Sequence, residues 1–247
     1  MTYFQIDKIL LGWLALAAAQ VVAGMLVPVH SPMPPHALEW MLVSDFLIAA
    51  VLGIIAARSD WVGWRLALAL VIIAWAINLV DMIEGTVFLK QLGIPWRSLI
   101  LLASVTYILV LPLWRYIFAG GEAAAPHYSP FSQKPIGSAL WRFAVSDLSY
   151  LVLYFGAGTA IFPYVRSFYA AQTSSPPGAI MALQLLLRGP VFVLICLLLV
   201  RMIGLPRWPG ALSVGLAFTI LSGVAPLLTP NPYFPEYVRW VDFGEIT

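Results

Sequence analysis

Seven stretches of this chain run for 20 residues or more with scarcely a charge: 9–29, 37–57, 64–89, 95–118, 138–165, 178–203 and 208–229. A helix needs about 20 apolar residues to cross a hydrocarbon layer roughly 30 Å thick. The runs are continuous rather than alternating, which argues against strands of a membrane barrel. A soluble fold could not hide them. Hydrophobic residues make up 62% of the chain and charged ones 10%, whereas soluble domains carry about 45–50% and about 25%. Part of any globule must face water. The expected fold is therefore an all-α polytopic transmembrane helical bundle of about seven spans, one domain over 1–247, with the lipid bilayer as its solvent. A formal net charge of +2 without a basic run gives nucleic acid nothing to bind. Cys196 is the one cysteine. It allows no intrachain disulfide and no cysteine-based metal site.

The segment 9–29 has some look of a leader, with ALAAAQ as its cleavage site. Asp7 offsets Lys8, so the basic n-region is missing, and the segment counts as a span. Most connectors are short. The longest, 120–137, is polar and rich in Gly, Pro and Ser, and reads as an inner loop between four spans and three. With the N-terminus inside, eight Lys and Arg fall on the inner side and four on the outer. This asymmetry predicts a cytoplasmic N-terminus and an external C-terminus. Trp13, Trp40, Trp61, Trp64, Trp96, Trp114, Trp141 and Trp208 fall near span ends, where interfacial anchors sit; Trp75 does not. The tail 230–247, with three prolines and several aromatics, reads as an interfacial segment on the outer side rather than a cap over the bundle mouth.

The segments MLVSDFLIAAVLG (41–53) and FAVSDLSYLVLYFG (143–156) share VSD, which places Asp45 and Asp147 alike in spans two and five. Spans three apart run in opposite senses. The pattern is that of an inverted 3+3 repeat with one extra helix, an architecture that sets sites near mid-membrane.

The ionisable residues inside the spans carry most of the functional information. By helical rise, Asp45 lies about 12 Å from the outer end of span two and Arg188 about 15 Å from that of span six. Asp147 lies about 13 Å from the inner end of span five. Asp81 and Glu84 lie about 10 and about 6 Å from the outer face. A charge at the bilayer centre costs about 2.5–3.5 kcal/mol on insertion scales, so these groups should face the bundle interior and find partners. Depth matching pairs Arg188 with Asp147 or Asp45, ahead of Asp81.

Helical spacing groups further residues with these. Asn78, Asp81 and Glu84 share a slowly drifting face; Asp147, Tyr150 and Tyr154 form a stripe on span five; Gln184 lies one turn before Arg188. Pro190 follows in RGP. It lacks an amide proton and clashes with the carbonyl of Leu186, which predicts a break beside Arg188. Four carboxylates against one guanidinium leave a formal −3 if all are ionised. Desolvation opposes that, so some should be protonated, wet or bound to a cation. Glu84, nearest the surface, is the one expected to be wet. Asp81 and Glu84 are expected to face spans two and six and to line an outward-facing polar vestibule. The bland readings stand beside these. An Arg–Asp pair can be a helix–helix staple, Tyr and Gln stripes can be interhelical hydrogen bonds, and Asn78 alone suits packing.

Other constellations point nowhere. His30 and His36 flank SPMPP, a Pro-rich loop that suits neither a metal nor haem. His127 lies in the inner loop and reads as solvated. There is no GxSxG, HExxH, P-loop or GxGxxG pattern, and no Lys within a span for a Schiff base. No cofactor is expected, and catalysis is not the favoured reading.

The stretches LQLLLRGPVFVLICLLLVRMIG, GVAPLLTPNPYFPEYVRWV and LVDMIEGTVF resemble a group of uncharacterised bacterial multi-pass membrane proteins. The resemblance implies a bacterial inner-membrane setting and transfers no activity. Three functions compete. The first is handling of a small molecule or ion, as transporter or binding bundle, with the acidic residues as a proton or cation site. The second is a non-catalytic subunit or assembly factor, with membrane-protein partners or copies of itself. The third is an intramembrane enzyme acting on a lipid or isoprenoid.

Overall fold

The computed structural model describes residues 3–29, 34–88, 94–119, 136–172, 176–203, 207–230 and 234–246. Every regular element among them is helical. In order these are α1 (Tyr3–Leu26), α2 (Ala37–Ala57), α3 (Gly63–Phe88), α4 (Trp96–Ile117), α5 (Ile136–Gln172), α6 (Pro177–Leu183), α7 (Gly189–Ile203), α8 (Arg207–Phe218), α9 (Ala225–Leu228) and α10 (Glu236–Ile246). One π-helical segment, Gln184–Arg188, joins α6 to α7, and a second, Thr219–Val224, joins α8 to α9. The sixth span is thus α6, the first π segment and α7; the seventh is α8, the second π segment and α9. Seven helical stretches are long and apolar enough to cross a membrane. His30, Lys90, His127, Lys134 and most of the 120–137 loop lie outside the described residues. His36 closes the turn before α2 in a left-handed conformation, φ 61°, and pairs with exposed Glu39 at 3.2 Å.

Both π segments have the same cause. Pro190 and Pro226 cannot donate to the carbonyls four residues earlier, those of Leu186 and Ser222. Each span takes up a π turn at this point, a feature frequent at functional sites. Pro112 in α4 and Pro163 in α5 sit inside helices that stay α throughout.

In lipid, apolar burial does not drive helices together, so close packing and interhelical hydrogen bonds must. α1 packs along α2 and α4, and α3 along α4 and the sixth and seventh spans. Glycines permit the closest approaches. A β-carbon on Gly12 would overlap the Phe118 ring, and one on Gly85 the Trp96 ring. Indoles tie the helices across these seams. Trp13 Nε1 donates to the Leu42 carbonyl at 2.9 Å and Trp75 Nε1 to Ser104 Oγ at 3.1 Å. Trp114, expected as an interfacial anchor, is fully buried and donates to the Gly12 carbonyl at 3.2 Å. Its position near a helix end put it at the interface by sequence; the close seam beside Gly12 draws it inside.

α5 is placed differently. It packs against α7, the first π segment and α10, and most of its apolar side chains are exposed. The tail helix α10 lies against α5, α9 and the second π segment. Val238 is buried there, and Tyr169 on α5 donates to Asp242 at 3.0 Å. Trp240 and Tyr237 remain about half exposed.

Candidate functional site

Four spans meet at Asp81 and Glu84, one turn apart on α3. Glu84 accepts from Tyr154 Oη of α5 at 2.6 Å and from Gln184 Nε2 of the sixth span at 2.7 Å. Arg188 Nη1 pairs with the other Glu84 oxygen. Arg188 Nη2 reaches Asp81 Oδ1 at 3.3 Å. Ser222, in the second π segment, donates to the Asp81 carboxylate at 3.0 Å. The guanidinium lies 5.1 Å from the ring centres of both Tyr154 and Phe192. Both interrupted spans therefore deliver a polar side chain to the same carboxylate pair. The π turns make this geometry by rotating Arg188 and Ser222 out of the register of a straight helix.

The arrangement differs from the sequence expectation in three places. Arg188 pairs with Asp81 and Glu84, not with Asp147 or Asp45. The depth match assumed a straight α-helix, whereas the π turn shifts the register and the long Arg side chain spans the remaining few ångströms. Glu84 is not the wet member. Its side chain is 13% exposed against 23% for Asp81, because three donors from two spans close over it. The partners of the pair come from span six, as expected, and from spans five and seven in place of span two.

The other predicted residues divide between this cluster and two separate places. Tyr150 meets Phe192 edge to face beside the cluster, ring centres 5.5 Å apart, and its hydroxyl has no hydrogen-bond partner among the described residues. Asn78 Oδ1, Gln184 Oε1 and Arg188 Nε are likewise buried without partners among the described residues. Asp147 is buried elsewhere on α5, with Oδ1 unpartnered against Gly189, where a β-carbon would overlap it. Asp45 is 1% exposed and takes one hydrogen bond, from Gln20 Nε2 at 2.9 Å. The four carboxylates are thus not one pool. Two share the guanidinium, leaving a formal −1, and two stand apart.

Sequence reasoning missed Ser222 and Gln20. Ser222 carried a readable signal, since it lies four residues before Pro226 just as Leu186 lies four before Pro190. Gln20 was visible as a lone amide inside an apolar span, where polar side chains seek interhelical partners.

Chemically, the cluster offers a carboxylate pair bridged by a cation, with an unsatisfied guanidinium N–H, two amide oxygens and a phenol around it. Buried polar atoms rarely stay unpaired, so these groups are suited to meet water, a proton or a polar solute. No group of three or more His, Cys, Asp or Glu among the described residues is placed to hold a metal ion. No protein-family model matches the chain, and neither a curated protein nor a solved structure matches it.

Proposed function

We propose that this integral membrane protein handles a small molecule or ion, as a transporter or binding bundle, with the Asp81–Arg188–Glu84 cluster as its proton or cation site. One observation carries the reading: two proline-broken spans converge their π turns on one carboxylate pair. A structural staple needs neither break, since an unbroken helix can present an Arg to an Asp. Interrupted helices at membrane depth are tolerated where they are buried in protein or line a cavity. Asp81 is the approachable member, being the most exposed of the three.

Asp81→Asn tests this directly. The substitution leaves Arg188 balanced by Glu84, so the folded yield should stay near wild type. Purified protein is screened by thermal unfolding against inorganic monovalent cations and small organic cations. A ligand at 100 times its Kd adds about 2.7 kcal/mol to the native state. At least one cation should raise the midpoint of the wild type and not of Asp81→Asn. A screen without any shift, or a shift that survives the substitution, would sink the reading.

The Lys and Arg distribution supports a cytoplasmic N-terminus, and the bacterial inner-membrane setting rests on the resemblance alone. Single cysteines placed in the 120–137 loop should then react with membrane-impermeant reagents from the inner side alone.

A second reading, as a subunit of a larger membrane complex, rests on α5. Its exposed residues include Leu148, Val152, Leu153 and Tyr164, each more than 60% exposed. Mass spectrometry of proteins retained in a mild-detergent preparation separates the two readings.

A further inference from the structure

Away from the Arg188 cluster, α1 and α2 bring together a carboxylate and an amide with complementary vacancies. Gln20 Nε2 donates to Asp45 Oδ1 at 2.9 Å. Asp45 Oδ2 and Gln20 Oε1 are both buried, and neither has a hydrogen-bond partner among the described residues. These are the second oxygen of the acid and the oxygen of the same amide. Both carry only lone pairs when Asp45 is ionised, so nothing can join them. One added proton changes that. Bound to Oδ2, it is donated to Oε1 and closes a two-bond ring of acid and amide, satisfying both orphans at once.

We propose that Asp45 and Gln20 form a second intramembrane proton-binding site, in which Asp45 holds a proton on Oδ2 shared with Gln20 Oε1. The surroundings fit a neutral acid. Asp45 is 1% exposed, and none of the described ion pairs reaches it. An unpaired carboxylate in hydrocarbon surroundings is expensive. Tyr107 on α4 is a titratable side chain close enough to feel its charge. The ionisable groups of α3 nearest this level, Asp81 and Glu84, are engaged by Arg188. Cys196 and Arg201 on α7 make no described bond to Asp45. Next door, Ser44 Oγ donates to the Ala225 carbonyl at 2.8 Å, which fixes α2 against the seventh span. A hard metal cation would want about six oxygen ligands, whereas this pair offers two free oxygens. Loading forms one O–H bond on Oδ2. Unloading breaks it and leaves both oxygens without a partner, while the Gln20 Nε2–Oδ1 bond remains. The site shares no residue with the Arg188 cluster and does not depend on the function proposed for it.

Infrared difference spectroscopy on the full chain in lipid tests the proposal. Asp45→Asn can form the same ring as an amide pair, so the variant should fold. At neutral pH, wild type minus Asp45→Asn should contain the carbonyl stretch of a hydrogen-bonded carboxylic acid. Gln20→Leu leaves the acid without its partner and should move that band to the higher frequency of an unbonded acid. The second variant keeps the proposal open to refutation if the first is poorly folded. Loss of carboxylate bands alone in Asp45→Asn, or an unaltered acid carbonyl region in Gln20→Leu, overturns it.

Discussion

The α1–α4 side of the bundle and the α5 flank are both built from apolar helices, yet they are held by opposite means. On the α1–α4 side, glycines let rings press onto neighbouring backbones, as Phe118 does at Gly12 and Trp96 at Gly85. Indole N–H groups add bonds across the seams, and fully buried Leu16, Leu52, Leu70 and Ile73 fill the rest. On the α5 flank the apolar side chains mostly look outward. The inward contacts include two hydrogen bonds, Tyr154 on Glu84 and Tyr169 on Asp242. Because lipid is as apolar as leucine, apolar residues alone do not fix a helix against its neighbours. One side gains specificity from shape and the other from hydrogen bonds, so the two should fail under different perturbations.

The largest expected effect is on the polar side. Arg188→Ala strips two carboxylates of their cation, a loss of about 3–5 kcal/mol for a buried pair. Folded yield should fall sharply, and Asp81→Asn with Glu84→Gln should restore it. A variant that purifies at wild-type yield without those changes would mean that the cluster is already neutral or solvated.

A smaller effect is expected on the packed side. Gly85→Leu forces the Trp96 ring away from α3, and overpacking of this kind costs about 1–3 kcal/mol. Thermal unfolding should drop, and Trp96→Ala in the same chain should return most of the loss. If the double variant is no better than the single one, close approach at Gly85 does not hold α3 to α4.

The smallest effect is local and titrates. Burial pushes the Asp242 carboxyl up to about 6, while the Tyr169 hydrogen bond pulls it down. With α10 docked the group binds its proton more tightly than when released. The docked state is therefore favoured fully below the ordinary aspartate value, and that advantage is lost as pH rises through about 6. A spin label at Tyr237, with Cys196→Ala, should become more mobile over that window. In Asp242→Asn it should stay immobile throughout.

How much of this was legible follows the same division. The helical class and the number of apolar spans were written in run lengths, because hydrocarbon thickness sets a length that a sequence can match. The ionisable residues of the cluster were also visible, since an ionisable side chain inside a span must find company. Their pairing was not. Depth counting along a straight helix favours Asp147 and Asp45 for Arg188 ahead of Asp81; the third of these is the contact found, because the π turn shifts the register and the long Arg side chain spans the rest. Glu84 looked wet because depth along one helix says nothing about which neighbours cover it. Trp114 looked interfacial for the same reason. The VSD likeness of α2 and α5 places two aspartates alike in sequence, yet Asp45 meets an amide and Asp147 meets the backbone of Gly189.

The length of α5 has a consequence of its own. Its apolar part, Leu140–Ala171, has 32 residues, about 48 Å at 1.5 Å per residue. Even tilted by about 40°, near the limit for such helices, it would need about 37 Å of hydrocarbon where a bilayer offers about 30 Å. The mismatch falls on a helix whose middle bonds Glu84 and whose far end bonds Asp242. Membrane thickness thereby becomes a mechanical load on the fifth span. Vesicles of graded acyl-chain length should change the tilt of α5 before they disturb the seam between α1 and α4.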